Sequence, residues 1–512
     1  MAKFDFPMTK IIATLGPATQ AVQNIEKLIK EGARVFRINF SHGSFDDFDK
    51  LVDNVRLAAK NTGKYVGILG DLSGPKIRVG KVVEGGILLK KSQEIRFIKK
   101  DILGGSDKHN YTFSTTYPKL IDEVKKGERL LLDDGNIELK ATLVEGKGNN
   151  KILLCKVVVG GILTSSKGIN LPNTVLSLPS MTEKDFKCTE YAVNKEFDFL
   201  ALSFVRSAED VRTLKKKLIE LHARPEGLNI TGGDLGFSTI YEDNYIPIIS
   251  KIEKPQAIDN LEEIIVESDG IMVARGDLGV EMDLAEVAIL QKKIIRMCRR
   301  HMKPVVVATQ MLQSMIKEPV PTRAEVSDVA NAIMDGADAV MLSGETAVGQ
   351  YPVEAVRMMT RVSWNTSAFI KSEFSIRGKF MPYEGVLNRK ATMARGVNQM
   401  ARDIQAKYIV TWTHSGGSSV FLSQQRIQTP ILACGENETR LQQMSILYSL
   451  FPIYMKQPAS GSKFVEAVNK MLIENKWAKE GDPIIIVASS PITRRGITNR
   501  LVIHYVGETV GE

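Results

Sequence analysis

Apolar runs that end in small or polar residues recur along the first part of the chain. The three earliest runs, at residues 10–16, 33–42 and 65–75, are separated by segments with helical spacing of apolar residues at 22–31 and 46–60. Short continuous apolar runs are typical of buried strands, and apolar residues three to four positions apart indicate amphipathic helices. The pattern therefore predicts a repeated strand–helix unit whose strands carry polar residues at their carboxyl ends.

The same unit repeats five more times later in the chain. Its strands are predicted at residues 197–204, 246–253, 270–274, 304–310 and 339–345, with a helix at 208–223. Eight strand–helix units with polar residues at one end favour an α/β fold of the (β/α)8 TIM barrel type. An open doubly wound sheet is the alternative. Such sheets usually carry a glycine-rich fingerprint, and neither GxGxxG nor GxxxxGK[ST] occurs in the chain.

The pattern changes between the third and fourth strands. Residues 79–166 show short alternating strands with glycine-rich turns, which predicts an inserted all-β domain. Because it follows the polar end of the third strand, this domain is placed to act as a lid over a site, although an inert decoration fits almost as well. Strands near 408, 430 and 483 predict a third region. The expected domains are 1–78 and 167–352 for the barrel, 79–166 for the lid and 353–512 for a carboxyl-terminal α/β domain.

Charged residues collect where two of the predicted strands end. Lys251 and Glu253 are two positions apart and so share one face of a strand, and Arg275 and Asp277 follow the next strand. Barrel enzymes build their sites where the carboxyl ends of the strands meet. Glu253 and Asp277 are hard oxygen ligands suited to Mg²⁺, and Lys251 is a cation placed for a phosphoryl group or an oxyanion. The alternative is an ion-pair network without a catalytic role.

Composition and charge narrow the class of protein. The 512-residue chain is 43% hydrophobic and 25% charged, as expected of a soluble globular protein of roughly three domains. No apolar run approaches the ~18 residues of a membrane span, and residues 1–7 lack the apolar core of a signal peptide. The four cysteines form no CxxC pair, which favours reduced thiols in a cytoplasmic protein. The net charge of +9 suits phosphorylated substrates, since no nucleic-acid-binding motif accompanies it.

Six strings of residues form a familiar set. They are RINFSHG at 37–43, GDLSGPKIR at 70–78, IPIISKIEKPQAI at 246–258, DGIMVARGDLGVE at 269–281, ATQML at 308–312 and MLSGETA at 341–347. In this order, over nearly the whole chain, they resemble pyruvate kinase. The resemblance implies the same barrel, β lid and carboxyl-terminal domain. It also implies transfer of the phosphoryl group of phosphoenolpyruvate to ADP, followed by protonation of the enolate to pyruvate.

The resemblance implies roles for individual residues. Glu253 and Asp277 would bind Mg²⁺ or Mn²⁺, while Lys251 and the planar donor fork of Arg37 would neutralise the phosphoryl group. The substrate contacts would be Arg37, Lys251, Ala274, Arg275, Gly276, Asp277 and Thr309. The catalytic set would be Lys251, Arg37, Thr309, Ser343 and Glu345, with helix capping as the rival role of the two hydroxyls. The nucleotide contacts would be Pro17, His42, Arg78 and Lys167.

Two further sites follow from the resemblance. A loop after the strand near 408 resembles the effector loop of allosteric pyruvate kinases and would bind a phosphorylated metabolite, with a solvated turn as the alternative. Its candidate residues are Thr413, Ser415, Gly416, Gly417, Ser418, Arg494 and Arg495. The family's monovalent-cation pocket is matched by Asn39, Ser41 and Asp71, whereas Leu72 and Lys76 stand where threonine and glutamate are usual. The Lys76 ammonium would replace K⁺, so we expect no K⁺ requirement; the alternative is a solvated surface lysine.

Other classes of protein and one long connection stay open at this point. Another magnesium-dependent enolate enzyme on a barrel, or a catalytically silent relative with a regulatory or RNA-binding role, would share some of these features. The resemblance suggests a homotetramer. Residues 222–245 form a connection longer than is usual in barrels, which we expect to lie on the amino-terminal face, away from the chemistry.

Overall fold

The structure is a computed structural model that describes residues 7–105, 111–224, 245–374, 389–495 and 498–509. Residues 227–236, the middle of the long connection, lie outside the described residues. Among the helices that are described, none is both long enough and apolar enough to cross a membrane.

The first three barrel strands alternate with two helices, as the hydrophobic pattern predicts. These elements are β1 (Lys10–Thr14), α1 (Val22–Glu31), β2 (Ala33–Asn39), α2 (Phe45–Thr62) and β3 (Gly67–Asp71). Helix α1 buries Ile25, Leu28 and Ile29 and ends at Gly32, whose φ of 122° suits only glycine. The chain enters α2 through a capping box formed by Ser44 and Asp47, which satisfies backbone N–H groups at the helix start.

An all-β lid follows β3. Its elements are β4 (Ile87–Leu89), β5 (Glu94–Ile98), β6 (Thr112–Phe113), α3 (Leu120–Glu123), β7 (Arg129–Leu132), β8 (Ile137–Glu145), β9 (Ile152–Val159), β10 (Gly161–Leu163) and β11 (Ile169–Asn170). One sheet has the order β11-β7-β8-β9-β5-β6, and β4 pairs with β10. Ile95, Phe97 and Leu139 lie in an apolar core that belongs to the lid itself. Strand β11 extends this sheet past residue 166, the expected end of the lid. The sequence did not predict this strand, because two residues are too few to show an alternating pattern.

The chain then returns to complete the barrel. The returning elements are α4 (Glu183–Asn194), β12 (Phe199–Leu202), α5 (Ala208–Glu220), β13 (Ile248–Ile252), α6 (Pro255–Asp259), α7 (Leu261–Glu267), β14 (Gly270–Ala274), α8 (Arg275–Glu281), α9 (Leu284–Arg300), β15 (Val305–Ala308), α10 (Arg323–Asp335), β16 (Ala339–Leu342), α11 (Gly344–Ala347) and α12 (Pro352–Phe374). Eight parallel strands close into a ring in the order β1-β16-β15-β14-β13-β12-β3-β2. Pairing of β1 with β16 confirms the TIM barrel and excludes the open sheet.

Helix α12 belongs to the barrel by its packing. Ala355, Val356 and Met359 are buried in the same apolar cluster as Ile25 and Leu28 of α1. The helix therefore packs against α1, α10 and β1 and completes the eighth strand–helix unit, although the boundary expected from the sequence assigned residues from 353 onward to the third domain.

The carboxyl-terminal domain is a five-stranded sheet with helices. Its elements are α13 (Arg389–Asp403), β17 (Tyr408–Trp412), α14 (Gly417–Gln424), β18 (Ile431–Gly435), α15 (Glu438–Gln443), β19 (Leu450–Tyr454), α16 (Gly461–Glu474), β20 (Pro483–Ala488) and β21 (Arg500–Tyr505). The strand order is β19-β18-β17-β20-β21, and only β21 among these strands runs antiparallel to its neighbour. The three predicted strands are confirmed, and β19 and β21 are additions that the pattern did not indicate.

The third domain packs against the end of the barrel where the strands begin. Lys10, at the start of β1, lies with its ammonium 3.9 Å from the centre of the Phe451 ring. Asp338, just before β16, accepts hydrogen bonds from Gln424 and Arg426 of the third domain, each at 2.8 Å. The carboxyl ends of the strands therefore face the lid, at the opposite end of the barrel.

Candidate active site

The strand ends enclose a small cavity of ≈ 90 Å³. The charged side chains that line it come from four of the eight strands, β2, β3, β13 and β14, or from the turns that follow them; they are Arg37, Asp71, Lys76, Lys251, Glu253 and Asp277. Sequence reasoning predicted that such groups would meet here, because parallel strands bring their carboxyl ends to one face. Three cations and three carboxylates therefore share one small space.

Lys251 is held by three oxygen atoms. Its Nζ lies 2.9 Å from Glu253 Oε1, 3.4 Å from Asp71 Oδ1 and 2.9 Å from Ser203 Oγ. Burial alone would lower the pKa of Lys251, but the charges of Asp71 and Glu253 outweigh it and raise that pKa. The side chain is therefore a fixed, protonated ammonium, which is the state that a phosphoryl group or an enolate oxygen requires.

Asp71 connects the two cations of the cavity. Its Oδ2 accepts a hydrogen bond of 2.6 Å from Arg37 Nε, and its Oδ1 faces Lys251. Arg37 also donates to Thr14 Oγ1 at 3.2 Å. Burial would raise the pKa of Asp71, but Lys251 and Arg37 hold it below its ordinary value. The carboxylate thus stays ionised and orients both groups.

Glu253 and Asp277 are the candidate metal ligands. Glu253 is buried, and its Oε2 accepts a hydrogen bond of 2.8 Å from the backbone N–H of Phe204. Burial raises the pKa of Glu253, and although Lys251 opposes this, the Asp277 carboxylate adds to the rise. Two carboxylates that repel each other, one buried and one partly exposed, suit a divalent cation. Within the described residues no group of three or more potential metal ligands occurs, and Mg²⁺ typically takes only one or two protein carboxylates.

Thr309 lies beside the first turn of α8. Its Oγ1 accepts a hydrogen bond of 2.6 Å from Gly276 N–H, so this hydroxyl satisfies a backbone donor of α8, a helix that precedes it, and not of the helix that follows it. Thr309 has a φ of 70°, which is unusual for a β-branched residue and is the kind of strain found at functional sites. Ala274 and Thr309 line the cavity, whereas the Arg275 guanidinium pairs with Asp328 and the Thr309 carbonyl. Arg275 itself lines neither the cavity nor the cleft.

Ser343 lines the cavity and Glu345 does not. Ser343 directly precedes α11, but its side chain makes no capping hydrogen bond. Glu345 is fully buried, and its two oxygens accept hydrogen bonds from the backbone N–H groups of Ser343, at 2.7 Å, and Leu312, at 3.1 Å. Glu345 therefore orders the Ser343 segment.

A larger cleft of ≈ 310 Å³ lies between the lid and the barrel. Its basic side chains are Lys76, Arg78, Lys167, Arg206 and Lys254. The cleft shares Lys76, Phe204 and Asp277 with the small cavity, so the two spaces have a common wall. Of the predicted nucleotide contacts, Arg78 and Lys167 line the cleft, whereas Pro17 and His42 are exposed and line neither space.

The predicted monovalent-cation pocket coincides with part of the small cavity. Asn39, Ser41, Leu72 and Lys76 all line it. Leu72 is buried, and Ser41 Oγ donates to Ser73 Oγ at 3.0 Å. Lys76 is exposed, and it forms no ion pair with any residue that the structure describes. Lys76 therefore lines the cavity through a side chain that is otherwise open to solvent, which is also what the solvated-lysine alternative expects.

The effector-site candidates lie in the turn after β17, in the first turn of α14 and in the loop between β20 and β21. Gly416 has a φ of 86°, and its N–H donates to Thr413 Oγ1 at 2.9 Å, which shapes a tight turn before the helix. The Ser418 hydroxyl bonds to Thr498 Oγ1 in the loop that also carries Arg494 and Arg495. Both arginines are exposed. The turn is therefore joined to the later loop, as a shared anion site would need.

Sequence reasoning missed two residues at the end of β12. Ser203 Oγ accepts from Lys251 and donates to the Leu72 carbonyl at 2.7 Å. Phe204 adopts a φ of 54° and contributes to the common wall. Their position at a strand end was a usable signal, because the predicted strand at 197–204 stops at them.

These features place the protein among the barrel enzymes whose site lies at the carboxyl ends of the strands, here lined by cations suited to anionic substrates and covered by a β lid. A family profile described as "Pyruvate kinase, barrel domain" matches residues 6–228 and 239–356, and one described as "Pyruvate kinase, alpha/beta domain" matches residues 391–504. The chain belongs to the pyruvate kinase family. Its reaction is transfer of the phosphoryl group of phosphoenolpyruvate to ADP, giving pyruvate and ATP.

Individual relatives agree with this membership. The chain is 39% identical to a pyruvate kinase of Mycobacterium tuberculosis, over 98% of each protein. It is 36% identical to one of Corynebacterium glutamicum, again over 98% of each. A crystal structure of a pyruvate kinase from Cryptosporidium parvum superposes with a TM-score of 0.86 at 33% identity, covering 98% of this chain and 96% of that one. The other enolate enzymes and the catalytically silent relative are set aside.

Proposed function

We propose that phosphoenolpyruvate binds in the strand-end cavity and ADP in the cleft under the lid. The observation that carries this is the common wall of Lys76, Phe204 and Asp277 between the two spaces. Phosphoryl transfer needs the donor and acceptor oxygens roughly in line, on opposite sides of the transferred group. Two adjoining spaces of unequal size, with charged groups at their junction, provide this arrangement.

Arg37 and Lys251 act on the transferred phosphoryl group in this proposal. Arg37 offers its remaining guanidinium donors to phosphate oxygens, a geometry that a lysine cannot reproduce. Lys251 neutralises charge during transfer and then faces the enolate oxygen. Asp71 keeps both side chains oriented through its two oxygens.

Glu253 and Asp277 would hold Mg²⁺ or Mn²⁺. When bound, such an ion offsets the charge of the phosphoryl oxygens. The protein's own contribution is to hold two carboxylates close together, one of them fixed by the Phe204 N–H.

The substrate carboxylate would lie against the backbone of residues 274–277 and the Thr309 hydroxyl. The Ser343 hydroxyl lines the cavity, and the backbone N–H of Ser343 donates a hydrogen bond to the buried Glu345 carboxylate. We assign Thr309 and Ser343 to the delivery of the proton to the enolate, with Glu345 as the group that positions Ser343.

Replacement of Lys251 by methionine tests the proposal. A lactate-dehydrogenase-coupled assay with phosphoenolpyruvate and ADP should show kcat lower by roughly 10²- to 10³-fold, the usual cost of removing one donor to a developing charge. Lys60→Met, at an exposed position on α2, is the matched control and should leave kcat within about twofold. A kcat for Lys251→Met within about twofold of the parent enzyme, with the fold intact, contradicts the assignment.

We also propose that Lys76 replaces K⁺. Support comes from its position on the wall of the cavity that Asn39, Ser41 and Asp71 also line. Activity in buffer made with a large organic cation should equal that in KCl at matched ionic strength, which controls for screening. Strong activation of the parent enzyme by K⁺ would reject this role.

The loop from Thr413 to Ser418 is the proposed site for a phosphorylated effector. Its link to the loop of Arg494 and Arg495 supports a site made of hydroxyls, backbone N–H groups and exposed guanidinium groups. The double substitution Ser415→Ala with Ser418→Ala should weaken the response to sugar phosphates or nucleotide monophosphates. An unaltered response to every such effector places the site elsewhere.

A homotetramer in the cytoplasm is the proposed state of the enzyme. Large apolar side chains are exposed on α9 and in the turns around α10 and α11, where a second copy would cover them; they are Leu284, Ile289, Val320 and Val348. The four free, buried cysteines suit a reducing compartment. Sedimentation of Ile289→Glu against the parent chain tests the contact, and an unchanged mass contradicts it.

A further inference from the structure

One charged cluster lies outside the groups assigned so far, between the lid and α8. Asn170 of the lid strand β11 donates a hydrogen bond of 2.8 Å to Glu281 Oε1, at the end of α8. The ammonium of Lys254 pairs with the same oxygen. Lys254 directly follows Glu253 and lines the cleft under the lid. One carboxylate oxygen therefore receives a donor from the lid and a donor from the wall of the cleft.

Glu281 depends on these two donors. Its side chain is 0% exposed, and its second oxygen, Oε2, has no hydrogen-bond partner among the described residues. A buried carboxylate is costly unless its charge is compensated. If the lid moved away, Glu281 would keep Lys254 alone. The placement of the Lys254 ammonium is thus coupled to the position of the lid.

A second contact joins the lid to the same helix. A Cβ added at Gly135, in the turn between β7 and β8, would lie 3.7 Å from Val280 Cγ1. This turn carries Asp133, which pairs with Lys167 at 2.5 Å. Helix α8 therefore meets the lid at its last two residues, while Asp277 in its first turn lines both the cavity and the cleft.

We propose that Lys254 binds the phosphates of the nucleoside diphosphate, that Glu281 is its positioning residue, and that Asn170 makes this placement depend on the lowered lid. Lys254 is 14% exposed and has two ammonium donors beyond the one used on Glu281. Its ammonium also lies 5.7 Å from the Phe204 ring in the common wall, close to where the transferred group would pass. The inference rests on the proposed nucleotide cleft.

Kinetics with single and double variants test the role of each residue. Lys254→Met, made together with Glu281→Gln so that no buried charge is left unpaired, should raise the KM for ADP about tenfold while the KM for phosphoenolpyruvate stays within about twofold. Lys254→Arg, which keeps the positive charge, should have a KM for ADP close to that of the parent enzyme. Asn170→Ala should raise the KM for ADP severalfold in the parent chain and have no further effect in the Glu281→Gln background, because the two residues act through one contact. Additive effects overturn the coupling.

A distance measurement tests the lid without relying on activity. The four native cysteines are buried, so spin labels can be attached selectively to Lys147→Cys on the lid and Lys50→Cys on α2, both exposed positions. With ADP and Mg²⁺, the labelled parent should favour one short distance, and Asn170→Ala should broaden it toward longer distances. Asn149→Ala, an exposed lid asparagine, is the matched control and should behave as the parent. An unchanged distance distribution in Asn170→Ala overturns the proposal that the Asn170–Glu281 hydrogen bond holds the lid down.

Failure of the proposed nucleotide cleft can be distinguished from failure of the role proposed for Lys254. If the cleft does not bind the nucleotide, Lys167→Met and the double variant Lys254→Met with Glu281→Gln will both leave the KM for ADP unchanged, whatever the lid does. If only the present inference is wrong, Lys167→Met will raise that KM and the double variant will not.

Discussion

Replacing Asp71 by asparagine should separate an orienting carboxylate from a ligand of a monovalent cation. Asp71 is 2% exposed and holds Arg37 Nε at 2.6 Å and Lys251 Nζ at 3.4 Å. An asparagine oxygen can accept from only one of these cations, and it carries no charge. A hydrogen bond to a charged group contributes roughly 1.5–3 kcal/mol, so loss of one orienting contact predicts a fall in kcat of roughly 10- to 150-fold.

The Michaelis constant should respond differently from kcat. Removing a carboxylate makes the cavity more positive, and an anionic substrate binds at least as well in such a field. We therefore expect the KM for phosphoenolpyruvate to stay the same or to fall while kcat drops. The coupled assay gives both constants, and circular dichroism with the melting temperature checks the fold.

Asp198→Asn is the matched control for this experiment. Asp198 is also a buried barrel aspartate with an arginine partner, Arg56 at 3.0 Å, but it lies at the start of β12, away from the cavity. Burial raises the pKa of Asp198 to about 6, so a neutral amide is well tolerated there. Its kcat should remain within about twofold. An Asp71→Asn enzyme with unchanged kcat, or one whose loss occurs only in K⁺ buffer, refutes the orienting role.

Three other variants probe the barrel. Asp269→Asn should lower the free energy of unfolding by at least about 2 kcal/mol at neutral pH. The reason is that, although burial would raise the pKa of Asp269, Arg224 and Lys303 lower it from 3.8 to about 2. This stabilisation is present above pH 3.8 and is lost as pH falls toward 2, which denaturant titrations at several pH values measure. Deletion of residues 227–236 should leave kcat and KM nearly unchanged in the coupled assay. Ser203→Ala removes one Lys251 contact and should lower kcat by roughly 2- to 10-fold; an unchanged kcat contradicts its positioning role.

The deletion is expected to be harmless because the ends of the long connection are held together. The Ile246 N–H donates to the Ala223 carbonyl at 3.2 Å, and Arg224 pairs with Asp269 at 3.0 Å. Tyr245 OH donates to the same carboxylate at 2.5 Å. These contacts lie before β13 and β14 begin, at the end of the barrel away from Lys251. A large fall in kcat in a folded deletion variant contradicts this reasoning.

The barrel could be predicted from sequence because each strand is a short apolar run that ends in small or polar residues close by in the chain. Helix α1 and helix α2 were found within a residue or two, since their apolar faces repeat at helical spacing. Strand β11 was missed because only two of its residues pair with β7. Strand β21 was missed because its side chains are mostly exposed or half-buried, so it lacks a buried face.

The membership of the site was predictable, but its internal contacts were not. A strand end identifies Lys251 as a candidate and the family resemblance identifies Arg37, whereas the bond that each makes depends on neighbours far away in the chain. Arg275 shows this most clearly, because its guanidinium turns to Asp328 on α10 instead of the cavity. The Asn170–Glu281 contact joins two residues that are 111 positions apart, and no local pattern marks either of them.

The charge of the cavity gives a physical reason for a lysine at position 76. The lining contains three cations and three carboxylates, so the side chains sum to zero; they are Arg37, Lys76, Lys251, Asp71, Glu253 and Asp277. A phosphate ester that also carries a carboxylate brings roughly −2.5 to −3, and one divalent ion leaves a deficit of about one positive charge. Lys76→Glu would shift the balance by two further negative charges. One K⁺ restores only one of them, so we expect Lys76→Glu to become activated by K⁺ without regaining the parent kcat; full recovery in K⁺ would show that position 76 acts through shape and not through charge.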